Sequence, residues 1–173
     1  MTVGRVRLFP GGHAPDGTGT GNDAASLIFE VSSAQATNCP KVARYVLVFD
    51  PTTDQHWMFQ DTLPGDYSSG GTLRGLIACP SVSPGNVIMK AGISFGDGNR
   101  TDDDFEAADL SAAIAMSAIA NELVEFTIAL TMTGGSANEG FVIFIGRDAD
   151  NILDTASSSN VHLTNLTFEY TQV

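Results

Sequence analysis

From Val124 to Thr133 the chain reads VEFTIALTMT, with an apolar side chain at every second residue. Val124, Phe126, Ile128, Leu130 and Met132 alternate with Glu125, Thr127, Ala129, Thr131 and Thr133. A helix, turning about 100° per residue, cannot gather such a set on one side, whereas an extended strand points successive side chains to opposite faces. The stretch from Asn165 to Tyr170 repeats the pattern, with Leu166, Phe168 and Tyr170 opposite Asn165, Thr167 and Glu169. Between Val42 and Phe49, Tyr45, Leu47 and Phe49 share a face and Arg44 looks the other way.

Shorter β-rich runs fill the space between these three: 3–9, 26–32, 56–60, 72–78, 86–95 and 141–147. They are separated by stretches rich in Gly, Pro, Asn, Asp and Ser, such as LPGDYSSGG, CPSVSPG and TGGSANEG, which is the chemistry of turns. Many short strands with no regular alternation with long helical patterns predict an all-β sandwich or barrel rather than an α/β sheet. At 173 residues the chain has room for one domain with a proper core and not for two. The expected division is an N-terminal strand and Gly-rich arm or loop over 1–23, followed by a single β-sandwich domain over 24–173. Residues 104–119, DFEAADLSAAIAMSAI, admit two readings: a short helix with Phe105, Leu110, Ile114 and Ala118 as its stripe, or a strand with Ile114, Met116 and Ala118 on one face.

Charge narrows the function. Eight Lys and Arg against twenty Asp and Glu give a net charge of -12, and such a surface repels a phosphate backbone, so nucleic acid is not an expected partner. No apolar run approaches the ~18 residues that cross a bilayer, so no membrane partner is expected either. The start, MTVGRVRLFPGGHA, lacks the apolar core of a secretion signal. Cys39 and Cys79 form no metal-binding spacing and are expected as buried, unpaired thiols. His13, His56 and His162 are too scattered to suggest zinc.

Two motifs propose chemistry. GISFG, Gly92 to Gly96, matches the G-x-S-x-G of a hydrolase nucleophile elbow, and Asp148, Asp154 and His162 follow in the matching chain order. An elbow needs a helix after the serine, but here GDGNRTDDD follows, and its carboxylates would oppose a developing oxyanion. A serine hydrolase using Ser94 is therefore kept only as a second alternative. The same acidic loop offers Asp97, Asn99 and Asp103 as a weak calcium set, although Asp102 and Ala108 stand where an EF-hand needs Gly and Glu. No other cofactor is indicated. Trp57 and Phe59 in HWMFQ share a strand face, which suits a core or a subunit interface; a glycan site would add Asp66, Tyr67 and Arg74.

The run W-x-F-x-x-x-L-P-x-D-Y-x-x-G, Trp57 to Gly70, and the late stretch GRDADNILDTASSSNVHLTNLTFEY, Gly146 to Tyr170, resemble structural proteins of tailed bacteriophages. The resemblance implies a jelly-roll-like antiparallel β-sandwich without enzymatic activity. It also implies a capsid decoration (cement) protein on the virion exterior, assembled in the host cytoplasm as a homotrimer and bound to the major capsid protein. Interface residues would then be Arg5, Arg7, Trp57, Phe59 and Tyr67. The chain departs from the pattern after the LPxDY turn, where TLRGLIACP lacks the usual terminal aromatic. The first alternative is a phage tail or fibre module that binds a host-surface glycan.

Overall fold

The computed structural model describes residues 2–17, 23–96, 104–105 and 107–173. Twelve strands are present among them: β1 (Val3–Arg7), β2 (Ser26–Val31), β3 (Ala43–Phe49), β4 (His56–Thr62), β5 (Tyr67–Ala78), β6 (Asn86–Val87), β7 (Met89–Phe95), β8 (Asp109–Leu110), β9 (Ile114–Ala115), β10 (Val124–Ala129), β11 (Gly140–Arg147) and β12 (Val161–Gln172). They build a jelly-roll-like antiparallel β-sandwich. One sheet runs β10-β5-β12-β3-β2 with β1 also on β12, the other runs β4-β11-β7-β8, and β6 and β9 form a short ribbon.

The alternation read from the sequence is what closes the core. Phe126 and Ile128 of β10, Leu73 and Ile77 of β5, and Leu163, Leu166 and Phe168 of β12 face inward from the larger sheet. Phe59 of β4, Phe141, Ile143 and Ile145 of β11, and Met89, Ala91 and Ile93 of β7 face them from the smaller one. Their partners in sequence form the two outer faces.

β12 is the organising strand. One edge pairs with β5 along nearly its whole length. The other edge is shared: β3 holds Val161 to Leu163, and β1 holds Thr167 to Thr171. A bulge between Leu163 and Asn165 marks the change of partner, as extra residues do where a strand bends. Leu8 and Phe9, just after β1, turn into the core, and their amides donate to the Leu166 carbonyl. The Trp57 indole donates to the Gly11 carbonyl at 3.2 Å. Residues 2–13 thus lie along the sandwich.

Among the described residues, 104–119 contain no helix. Asp109 and Leu110 pair with Ala91 and Lys90 of β7, and Ile114 and Ala115 with Val87 and Asn86 of β6. The would-be helical stripe is divided among different neighbours: Phe105 packs edge-on to Phe144, Ile114 enters the core and Leu110 stays exposed. Edge pairing and the Asp109 carboxylate, which accepts from the Thr131 amide at 2.7 Å and its hydroxyl at 3.0 Å, override alanine's helical preference. Cys39 and Cys79 are both free thiols; Cys79 is buried, but Cys39 is exposed, because it lies in the turn between β2 and β3 rather than on a strand.

Candidate functional site

The hydrolase constellation is dispersed. Ser94 alternates with the core residues Ile93 and Ala91, so it lies on the outer face of the smaller sheet, opposite Val142. His162 alternates with Val161 and Leu163 and lies on the outer face of the larger sheet, its Nδ1 2.6 Å from Glu30 Oε1. The thickness of the sandwich separates nucleophile from base. Asp154 is committed elsewhere: its carboxylate meets Arg147 through Nε at 2.9 Å and Nη2 at 2.7 Å, with both side chains at most 1% exposed. Arg147 also donates to the carbonyls of Ser159 and Ala156, and Asp154 accepts from the Ile88 amide. This buried fork fastens the loop between β11 and β12 to the sandwich end.

Asp97, Asn99 and Asp103 lie outside the described residues. Among the described residues, Asp54, Asp148 and Asp150 bring carboxylate oxygens within 4.8 Å of one another and could hold a metal. The Lys90 ammonium already binds Asp54 and lies 3.1 Å from Asp148, so this cluster carries its own cation. Burial works against that ammonium, but its hydrogen bonds to the two carboxylates outweigh it and hold Lys90 above the ordinary lysine value. Beside it, the His56 ring lies over Gly146, where a Cβ would come within 2.7 Å of the ring. Its Nδ1 is buried and has no hydrogen-bond partner among the described residues. Burial, reinforced by the Lys90 charge, pushes the imidazole below the usual histidine range.

Of the residues expected at an interface, Trp57, Phe59 and Tyr67 are only 8%, 2% and 8% exposed. The inner face of β4 and the start of β5 spend them on the chain's own core, so they offer no outer surface. Asp66 is likewise taken, accepting from the Tyr170 hydroxyl at 2.8 Å and from Gln172 at 2.6 Å. Arg5 and Arg7 are exposed on the outer face of the larger sheet, level with Glu169 and Thr167. Arg5 and Arg74 both bind Glu169, and Arg74 also binds Glu125.

That outer face holds a polar depression. Where β3 leaves β12 and β1 has not yet joined it, the sheet edge opens. On one side a hollow of 460 Å³ is bordered by Glu30, Arg44, His162 and Thr164, with Asn121 and Leu123 at its rim. On the other a hollow of 500 Å³ is bordered by Arg5, Arg7, Thr164, Asn165 and Thr167. Thr164 borders both, so the two hollows adjoin there and together give a groove with Thr164 between its halves. Arg7 uses its Nε on the Phe9 carbonyl at 3.0 Å, and its Nη groups have no bonded partner among the described residues. The Arg44 guanidinium, though opposite Glu30 in register, has no bonded partner among the described residues, and neither has the Asn165 amide. The groove therefore presents planar donors and acceptors not satisfied by the described residues. Sequence reasoning found Arg5 and Arg7 but missed Glu30, Arg44, His162, Thr164 and Asn165. The outward parity of Arg44, His162 and Asn165 was readable, but the bulge that turns Thr164 the same way and the gap between β1 and β3 were not.

No protein-family model and no curated protein sequence matches the chain. Among solved structures it is similar to the CBM35 from Cellvibrio japonicus Abf62, with 8% identity, a TM-score of 0.50, and coverage of 99% of this chain and 95% of that one. The family 11 carbohydrate-binding module from Clostridium thermocellum, solved with a β-1,3-1,4-mixed-linked tetrasaccharide, gives 13% identity, a TM-score of 0.43, and coverage of 97% and 96%. The CBM22-2 xylan-binding domain from Paenibacillus barcinonensis Xyn10C gives 11% identity, a TM-score of 0.44, and coverage of 92% and 98%. At these identities the likeness is one of fold. Nothing in it points to a bacteriophage origin or to capsid decoration.

Proposed function

We propose that this chain is a non-catalytic carbohydrate-binding module that takes its ligand along the groove on the outer face of the larger sheet. The observation that carries the reading is the set of uncommitted planar polar groups, Arg7 Nη, Arg44 and Asn165, arranged around the shared Thr164. Sugar hydroxyls both donate and accept, so a site for them needs fixed polar groups of both kinds whose capacity is not spent internally. The fold shared with the CBM35 structure supports the same reading, and the separation of Ser94 from His162 agrees with a non-catalytic role. Carbohydrate thus replaces the capsid surface as the proposed partner.

The test is titration calorimetry and affinity electrophoresis against a panel of soluble polysaccharides. At least one should bind, and Arg44→Ala and Arg7→Ala should each weaken that binding roughly tenfold, equivalent to about 1.4 kcal/mol. Ser94→Ala, on the far face, should leave it unchanged. A panel without any binder, or binding indifferent to both arginine variants, would overturn the reading.

A further inference from the structure

We infer that β2 is the seam of a two-fold dimer, pairing antiparallel with β2 of a second copy so that the larger sheet continues from one chain into the next. β2 is the last strand of that sheet. The Ser32 amide donates to the Val42 carbonyl across to β3, and backbone groups alternate in direction along a strand. Ser26, Ile28 and Glu30 therefore also bond to β3, and Leu27, Phe29 and Val31 turn their N–H and C=O outward. The Ala25 amide, next in the outward series, is already bonded to the His56 carbonyl at 2.9 Å. The open edge thus begins at Leu27 and contains three consecutive outward residues.

Pattern and charge select both the occupant and the register. Phe29 is 58% exposed and packs at 5.2 Å on Tyr45, itself 50% exposed; Leu27 and Val31 flank them on the same face, also exposed. The sequence L-x-F-x-V is nearly palindromic about Phe29, as an isologous contact requires. With Phe29 opposite Phe29 of the second copy, Leu27 faces Val31 in both directions, all three outward residues find bonded partners, and Glu30 lies opposite Ile28. Sliding one step toward Val31 would set Glu30 directly against Glu30, a repulsive pair. Sliding the other way would call on the Ala25 amide that His56 has taken. Edge strands of soluble proteins are ordinarily guarded by charge, proline or a covering segment; among the described residues no proline and no segment covers Leu27, Phe29 and Val31, and the charge between them, Glu30, is turned to the other face and bound to His162. A two-fold axis normal to the sheet turns both outer faces to the same side.

The test needs no ligand, so its outcome is independent of the carbohydrate reading. In sedimentation equilibrium over a rising concentration series, the full chain should pass from single to double mass. Added salt should strengthen the association by screening the -12 charge. Phe29→Lys, which sets two ammonium groups against each other, and Val31→Lys should both hold the chain at single mass with an unchanged circular dichroism spectrum. In the wild type, amide exchange at Leu27, Phe29 and Val31 should slow tenfold or more as concentration rises, while Ile28 and Glu30 stay as they were. A single mass throughout, a triple mass, a double mass indifferent to folded lysine variants, or unchanged exchange at the three outward amides would each overturn the inference.

Discussion

The Arg147–Asp154 pair is a buried and heavily bonded polar contact. Each charge is fully enclosed and satisfied by the other, with the carbonyls of Ala156 and Ser159 and the amide of Ile88 completing the shell. Such a pair adds little over a well-packed apolar substitute, but removing one member leaves the other charge stranded. Asp154→Asn should therefore lower unfolding free energy by about 3–5 kcal/mol in urea titration, without changing the slope of the transition. His56 makes a prediction of opposite character. Burial and the Lys90 charge press its imidazole below the ordinary histidine value, so the unfolded chain binds its proton more readily than the folded one. Stability is then fully present above the unfolded value of 6.5 and falls as acid carries the pH below it, because the unfolded state gains protons first. The melting temperature should drop on going from about pH 7 to about pH 5, and His56→Leu, which keeps the packing on Phe144, should flatten that slope.

The strands were legible where burial was one-sided. Val124 to Leu130 and Leu166 to Tyr170 announced their inner residues directly, because a two-residue period can be satisfied in only one register against a core. β5 was read as starting at Thr72, yet it begins at Tyr67. The turn-like residues Ser68 to Gly71 are drawn into the ladder by a twelve-residue β12, and Gly71 gives Met132 and Phe168 the room they occupy. Residues 104–119 stayed open between helix and strand for a related reason, since the short strands they form depend on which edges β6 and β7 leave open, a non-local fact. The groove was half legible. Parity places Arg44, His162 and Thr167 on an outer face, but only the folded contacts show that Arg5 is spent on Glu169 while Arg44 has no bonded partner among the described residues. Trp57, Phe59 and Tyr67 misled because large aromatics suit a buried core and an interface equally well.

At the level of the whole molecule, β1 and β12 run antiparallel with Val3 opposite Thr171, and the Gln172 amide donates to the Thr2 carbonyl. The first and last residues of the ladder therefore lie at the same end, and a load applied between them meets one pair of hydrogen bonds at a time, as in opening a zip. Attachment at Thr2 and Asn160 would instead pull β1 and β12 along their common axis and strain all their bonds together. Single-molecule stretching should find rupture at lower force from the two ends than from Thr2 and Asn160, and equal forces would refute this account. A chain held by both ends would thus yield first at β1, uncovering Leu8 and Phe9 while the ladder between β5 and β12 still stands.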